Sequence, residues 1–356
     1  MENLPPSNPF GQYKEENGPF GALRLLRATE EEQSFPNISV ILSERSESKD
    51  PYPPLFASVM PMKQNTIYAL GFFDGVHLGH QALLKACRIL ADSTGSIAGV
   101  ATFGNHPDAL TQGSAPRLIN SLSDRKRLLE GFSMEEVLEL PFDEALKTMP
   151  WEAFLDMLRA WHNAAGFVCG EDFRFGHKGS GTAGLLADYC KRNGLSCAVV
   201  PEMKLGETTV SSTHIRNLLE AGDMEEANRF LGHPHILSGE VTSGRKLGRT
   251  MGIPTANLSL PEEAVQLPFG VYACKARIPG GVYTAVTNIG NRPTVGGHRV
   301  TVEPWLLDFS GDLYGKELTL EIHAFLRPER KFESLEELRQ EIQKNAAQTR
   351  EFFGKI

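Results

Sequence analysis

The chain has 356 residues, of which 41% are hydrophobic and 22% are charged, so it is long enough for two domains with hydrophobic cores. Its formal net charge of -8 argues against nucleic acid as a main partner. Because no apolar run approaches the ~20 residues of a membrane span and no signal-peptide pattern opens the chain, we expect a cytoplasmic protein without a membrane partner.

Residues 1–59 are rich in Pro, Ser and Glu and carry no sustained period of 2 or 3.6. Such a segment cannot bury enough apolar area to offset the entropy lost on ordering, so we predict a disordered or artefactual N-terminal extension. Met60 and Met62 stand just before the first strand-like run, and our hypothesis is that translation begins at one of them. A regulatory tail is the functional alternative.

From residue 66 to about residue 201, apolar strand-like runs alternate with amphipathic helical runs. This alternation predicts an α/β domain with a mainly parallel sheet. The predicted strands are 66–70, 97–103, 136–140, 166–169 and 196–200, and the predicted helices are 81–91, 124–131, 151–161 and 184–193. Ligands bind at the carboxyl ends of the strands in such sheets, so the motifs at strand ends are the candidates for function.

The first predicted strand runs into a glycine-rich loop, residues 71–79, and then into a helix. Glycines let backbone N–H groups approach a phosphate, and the helix N-terminus adds unpaired donors and partial positive charge. His77 and His80 can both face this loop and donate hydrogen bonds to phosphoryl oxygens. The loop lacks the Gly-Lys-Ser/Thr of a Walker motif and the GxGxxG fingerprint. Two histidines satisfied by backbone carbonyls near a turn are the structural alternative.

The longer string GFFDGVHLGHQ, residues 71–81, resembles the signature of the nucleotidyltransferases that form flavin nucleotides, the adenylyltransferase half of bacterial FAD synthetases. This resemblance implies a catalytic role for His77 and His80. It also implies that ATP phosphates are bound at Gly71, Phe73, Gly75 and Gly79.

Two strand-end loops extend the resemblance. The string TFGNHP, residues 102–107, is similar to the family's TFxPHP loop, with Asn105 in place of a proline, and it could otherwise be a simple turn. The string GEDFRFG, residues 170–176, resembles the GxDFxFG loop that contacts flavin and nucleotide. The implied flavin-binding residues are His106, Asp172, Phe173 and Phe175.

The string SSTHIR, residues 211–216, resembles the family's SSTxIR motif, which holds the triphosphate. The implied ATP-binding residues are Ser211, Ser212, Thr213 and Arg216, and an arginine can engage a phosphate with two parallel hydrogen bonds. The hydroxyl side chains could instead be simple N-caps of a helix.

After residue 231 short strands separated by Gly and Pro predominate, which predicts a small closed or nearly closed β-barrel. The predicted strands are 236–242, 270–277, 281–289, 298–307 and 317–326, followed by a terminal helix over 334–353. We therefore place one catalytic domain at residues 60–231 and a second at residues 232–356.

The string SGRKLGRTMGIPTANL, residues 243–258, combines a basic glycine-rich flap with two oxygen-bearing side chains on one face of an extended segment. Neutral oxygens suit Mg²⁺ when substrate phosphates complete its coordination, although a plain barrel loop would look similar. The string closely resembles the riboflavin kinase motif. The resemblance implies a magnesium site at Thr255 and Asn257, and phosphate binding at Gly244, Lys246, Gly248 and Arg249.

Glu303 lies in an apolar strand, where a glutamate is either paired structurally or retained for proton transfer. The resemblance gives it the second role, as acceptor of a proton from the attacking alcohol. Pro304 after it predicts a strand edge or a bulge. The strings NIGNRPT, residues 288–294, and LRPERKF, residues 326–332, also match the kinase pattern, which implies a flavin contact at Arg327.

Together these motifs are similar to those of bacterial bifunctional riboflavin kinases and FAD synthetases. The resemblance implies that the barrel uses Mg²⁺ and ATP to phosphorylate riboflavin, and that the α/β domain joins AMP from ATP to FMN, giving FAD and pyrophosphate. The implied partners are therefore the small molecules riboflavin, FMN and ATP. Two alternatives are a nucleotidyltransferase for another phosphate ester and a flavin-binding sensor with vestigial catalytic groups.

Overall fold

The computed structural model describes residues 39–41, 64–242, 252–259, 261, 263–294 and 297–354, with side chains for all of these except 39–41 and 292–299. The chain divides into two compact units. The sheet unit comprises the described residues of Ser34–Pro116 and Lys126–Val210, and the barrel unit those of Arg117–Arg125 and Ser211–Ile356.

The sheet unit is built on a six-stranded sheet of order β1-β8-β5-β2-β3-β4, in which every pair except β1–β8 is parallel. The six strands of this sheet are β1 (Ser39–Ile41), β2 (Thr66–Leu70), β3 (Ile97–Phe103), β4 (Glu136–Leu140), β5 (Ala164–Gly170) and β8 (Ser196–Val200). Two further pairs of short strands are β6 (Arg174–Phe175) with β7 (Gly181–Thr182), and β9 (Lys204–Leu205) with β10 (Thr208–Thr209). The helices up to residue 193 are α1 (Leu78–Thr94), α2 (Pro107–Thr111), α3 (Leu122–Gly131), α4 (Glu144–Thr148), α5 (Trp151–His162) and α6 (Ala183–Asn193). The predicted mainly parallel α/β sheet is confirmed.

The centre of the sheet follows from its sequence. All five residues of β2 are buried, as expected for a strand covered on both faces of a parallel sheet. Strand β1 was not predicted, and it pairs antiparallel with β8 through Val40 and Ala198. Without it β8 would be an open edge, which any extended segment can pair with. The rest of the predicted N-terminal extension lies outside the described residues.

The barrel unit contains an antiparallel sheet of order β11-β16-β13-β14-β15-β12. Its elements are α7 (Ser212–Ala221), α8 (Met224–Leu231), β11 (His235–Glu240), β12 (Leu258–Ser259), β13 (Gly270–Ile278), β14 (Gly281–Thr294), β15 (Gly297–Leu306), β16 (Glu317–Pro328) and α9 (Leu335–Gly354). The sheet nearly closes, because the Thr242 N–H donates to the Asn257 carbonyl at 2.9 Å just beyond β11 and β12. The predicted barrel and terminal helix are confirmed.

A short segment from the middle of the chain belongs to the barrel unit. The Leu118 N–H donates to the Glu263 carbonyl at 2.7 Å, and the Val265 N–H donates back to the Leu118 carbonyl at 2.7 Å. Asp124 accepts a hydrogen bond from the Ser238 N–H at 3.2 Å. Helices α7 and α8 also lie in this unit. The boundary between catalytic domains at residue 232 stays a prediction.

His235, fully buried at the start of β11, makes the stability of the barrel unit depend on pH. Burial, together with the nearby His233, lowers its pKa to about 3. In the unfolded chain this histidine has an ordinary pKa near 6.5 and becomes protonated as pH falls below that value. In the folded chain it stays neutral down to about pH 3, so a fall in pH over this range favours the unfolded state. We expect this one residue to remove on the order of 2 kcal/mol of stability between pH 7 and pH 5.

Hydrogen exchange of the β11 and β16 amides in the full chain at the two pH values measures this loss. The variant His235→Leu should show a smaller loss of protection between pH 7 and pH 5. An unchanged pH dependence in that variant would contradict the assignment to His235.

Candidate active sites

The loop between β2 and α1 has an unusual backbone. Phe73 and Val76 have φ of 60° and 41°, and Gly75 between them has φ of 82°. Positive φ is rare for an aromatic residue and rarer for a β-branched one, and it costs on the order of 1–3 kcal/mol per residue. Both side chains are fully buried, so the surrounding core holds the loop in this conformation. Strain retained in this way is common at functional sites and marks this loop as a candidate.

The two predicted catalytic histidines are brought together at the start of α1. Their rings are stacked with centroids 3.6 Å apart and planes 17° apart. The Nδ1 atom of His77 accepts a hydrogen bond from the His80 N–H at 3.3 Å. A neutral His77 ring therefore carries its proton on Nε2, which leaves that atom as a donor. The predicted phosphate residues Gly71 and Gly79 flank this arrangement in the same loop.

Thr102 on strand β3 holds the loop between β2 and α1 through a hydrogen bond, and the sequence motifs did not mark this residue as functional. Thr102 is 1% exposed, and its hydroxyl donates to the Phe72 carbonyl at 3.0 Å. The ring of Phe72 lies edge-on to that of His106, with centroids 4.6 Å apart. His106 thus stands beside the loop, where its Nδ1 also caps α2 by accepting from the Asp108 N–H at 3.1 Å. Its proposed contact with flavin stays a prediction.

We expect Thr102→Val to lower kcat/KM for AMP transfer to FMN about fivefold, because a hydrogen bond worth about 1 kcal/mol no longer positions the loop. Riboflavin phosphorylation should be unchanged. The control is Thr66→Val, since Thr66 is equally buried at the opposite end of the sheet and donates to Glu136 at 3.1 Å. Equal effects of both variants on AMP transfer would mean that Thr102 acts only through general stability.

The loop after β5 carries the residues predicted to contact flavin. Asp172 is exposed, and the rings of Phe173 and Phe175 are stacked with centroids 5.4 Å apart. Phe175 is only 7% exposed and meets Trp151 edge-on at 6.2 Å in the core. The ring of Phe173 is half-buried and keeps some accessible surface, while the buried ring of Phe175 packs against it. The flavin contacts themselves stay predictions.

The serine-rich segment opens α7 in the barrel unit. Ser211 is the N-cap, and its hydroxyl oxygen accepts from the His214 N–H at 3.3 Å. Ser212, Thr213 and Arg216 lie in the first two turns of this helix. The N-cap role that the sequence left open is thus present, and phosphate binding by these residues stays a prediction.

The predicted magnesium residues lie beside Glu303. The Ala256 N–H donates to the Pro304 carbonyl at 2.9 Å, and the next pair along the two segments is Leu258 with Val302. Asn257 is therefore opposite Glu303, and residues directly opposite on antiparallel segments share a face. Thr255 and Asn257 are both half-buried and stand on either side of the buried Ala256. The predicted flap residues Gly244, Lys246, Gly248 and Arg249 lie outside the described residues.

Arg327 lies in the row of directly paired residues that also contains Asn288 and Glu303, but its side chain contacts the terminal helix α9. Val271 on β13 pairs with Asn288 on one side and with Arg327 on the other. The Arg327 Nε donates to Asn345 at 3.1 Å, and the guanidinium is 3.3 Å from Glu341. Burial lowers the pKa of this guanidinium, and Glu341 opposes that effect. Its predicted contact with flavin stays a prediction.

A strained glycine-rich loop with paired imidazoles lies on a parallel α/β sheet, and a barrel aligns a carboxylate with a neutral side-chain amide. These two arrangements are typical of enzymes that carry out phosphoryl chemistry. The family model described as FAD synthetase matches residues 59–214, and that described as riboflavin kinase matches residues 231–353. The chain belongs to the family of bifunctional riboflavin kinases/FMN adenylyltransferases.

The relatives support this assignment over most of their length. The bifunctional riboflavin kinase/FMN adenylyltransferase of Bacillus subtilis is 35% identical over 296 residues, covering 82% of this chain and 93% of the relative. The protein of that name from Escherichia coli K12 is 33% identical over 300 residues, covering 82% and 94%.

A crystal structure described as a macrolide-efflux protein from Streptococcus pneumoniae has a similar fold. Its TM-score is 0.73 at 28% identity, over 82% of this chain and 96% of that one. Within the part of this chain that the structure describes, no helix combines the length and apolar character needed to cross a membrane.

Proposed function

We propose that the two activities of the family are carried by two separate sites of this chain. The chain is an enzyme with riboflavin kinase and FMN adenylyltransferase activities. In our proposal the barrel site transfers the γ-phosphoryl group of ATP to the ribityl 5'-hydroxyl of riboflavin, giving FMN and ADP. The loop before α1 then serves the transfer of AMP from a second ATP to FMN, giving FAD and pyrophosphate.

The kinase half of the proposal rests on one observation, the hydrogen bond between Ala256 and Pro304 that sets Glu303 beside Asn257. A primary alcohol that attacks phosphorus must lose a proton, and Glu303 can accept it. The donor set of Thr255 and Asn257 fits Mg²⁺, because both side chains offer neutral oxygens and leave room for phosphate ligands. Bound there, Mg²⁺ would neutralise charge on the ATP phosphates.

The adenylyltransferase half needs no base, since the FMN phosphate is already anionic. What this reaction needs is stabilisation of the charge that develops on the phosphoryl group and on the departing pyrophosphate. Nε2 of His77, the ring of His80 and the N-terminus of α1 can provide it. We further propose that the enzyme acts in the cytoplasm on small molecules and binds neither nucleic acid nor membrane.

A coupled assay with riboflavin and Mg-ATP tests the proposal. We expect release of ADP first and of pyrophosphate as FMN accumulates. A flavin sensor with vestigial groups would instead bind flavin tightly and release neither product, which would overturn the proposal.

A further inference from the structure

A second carboxylate reaches the face of the barrel that carries Glu303. Gly290 lies on β14, and a Cβ atom at that position would come within 2.8 Å of Glu329 Oε1 and within 3.2 Å of Asn288 Nδ2. The carboxylate of Glu329 and the amide of Asn288 therefore converge on the space that the missing side chain leaves. Any larger residue at Gly290 would displace one of them.

The strand register connects this pair to the proposed kinase site. Asn288 and Gly290 are two positions apart on β14 and so face the same side. Asn288 is directly opposite Glu303 on β15, while Glu329 follows β16 and is anchored by its N–H to the Phe269 carbonyl at 3.1 Å. One face of the barrel thus presents Glu303, Asn288 and Glu329 in succession.

Two neighbouring arginines, Arg327 and Arg330, donate their hydrogen bonds to groups other than Glu329. Arg330 lies 2.8 Å from Glu341, and its guanidinium stacks on the ring of Phe332 at 4.7 Å. Arg327 bonds to Asn345 and lies 3.3 Å from Glu341. The hydrogen bonds of these two arginines go to Asn345, Glu341 and the Pro328 carbonyl, while Arg327 attracts the Glu329 carboxylate electrostatically. The Glu329 carboxylate can therefore accept hydrogen bonds from a ligand while it stays close to a positive charge.

The structure of riboflavin suggests which groups would donate hydrogen bonds to Glu329. A ribityl chain carries three secondary hydroxyls next to the terminal hydroxyl that must face Glu303. A carboxylate accepts hydrogen bonds from hydroxyls, and an amide can both accept and donate. Hydrogen bonds to a charged acceptor are stronger than neutral ones.

We propose that Glu329, with Asn288, binds secondary hydroxyls of the ribityl chain and makes the kinase site specific for a polyhydroxylated acceptor. Glu303 then acts on the terminal hydroxyl alone. Gly290 is required because its lack of a side chain admits the Glu329 carboxylate. This inference rests on the proposed kinase function of the barrel.

The test compares riboflavin with flavins that each lack one secondary hydroxyl and keep the terminal one. We expect the wild-type chain to phosphorylate riboflavin with a kcat/KM about 10- to 100-fold above that of the affected deoxy flavin, the range for a hydrogen bond to a charged group. In Glu329→Gln this preference should fall about tenfold. The fall should come mainly from a higher KM for riboflavin, with kcat retained. The matched control is Glu317→Gln, an exposed position at the other end of β16.

Three outcomes separate the possibilities. An unchanged preference in Glu329→Gln would overturn the inference and leave the kinase function intact. A loss of kcat with all acceptors would also overturn it, since Glu329 would then act in proton transfer. Failure of the wild-type chain to phosphorylate riboflavin would refute the proposed function and the inference with it. Gly290→Ala provides a second variant, which should reduce the same preference.

Discussion

Glu303→Gln should lower the rate of riboflavin phosphorylation by about a thousandfold, the middle of the range for loss of a general base. The amide keeps the size of the side chain but cannot accept the proton of the attacking hydroxyl. The measurement is ADP release at saturating riboflavin and Mg-ATP. AMP transfer to supplied FMN should continue at close to the wild-type rate.

The exposed variant Glu317→Gln again serves as the control, because it removes a carboxylate from the same barrel away from Glu303. A kinase rate within about threefold of wild type in Glu303→Gln would show that this residue is not the base, since a general base contributes at least about a hundredfold.

His80→Ala should lower AMP transfer to FMN by about a hundredfold to a thousandfold, the cost of removing one donor from a site that stabilises developing charge. The substitution also removes the ring stacked on His77 at 3.6 Å, so His77 loses a neighbour that fixes its orientation. Pyrophosphate release from FMN and Mg-ATP measures this loss. Formation of FMN from riboflavin should be spared.

The control for His80→Ala is His162→Ala. His162 is the last residue of α5, at the end of the sheet where the strands begin, and it lies far along the chain from the loop. If both variants reduced AMP transfer equally, the effect of His80→Ala would reflect stability and not the proposed site.

The central strands β2 and β3 of the sheet unit were predictable because they are buried on both faces. Strands β2, β3, β4 and β8 all have the predicted bounds. Strands β2, β3 and β8 are short, mainly apolar runs between turn residues, whereas β4 contains two glutamates. Strand β14 instead continues to Thr294, five residues beyond the prediction. Its last part contains Asn291, Arg292 and Pro293, which carry no apolar alternation, and the pairing with β15 extends it.

Pro304 shows a similar limit. The sequence predicted an edge or a bulge, and the pairing of β14 with β15 has no register shift, so the bulge is wrong. The Pro304 carbonyl points away from β14 and accepts from the Ala256 N–H. The missing N–H of Pro304 therefore lies on the side of β12, which is only two residues long, and costs no bond to β14.

The candidate sites were predictable where their residues are close in sequence. The spacing of His77 and His80 at the start of a helix was enough to place them together. The bond from Thr102 to the Phe72 carbonyl joins residues 30 positions apart, and its only sequence signal was a threonine at a strand end. The approach of Glu329 to Gly290 likewise depends on the barrel register, which a single sequence does not reveal.

The most direct test of two separate sites compares two rates in folded Glu303→Gln and His80→Ala. The quantity is the ratio of the rate of ADP release with riboflavin and Mg-ATP to the rate of pyrophosphate release with FMN and Mg-ATP. Our account predicts that this ratio falls steeply in the first variant and rises steeply in the second. Equal loss of both activities in either variant would show that the two reactions share one site.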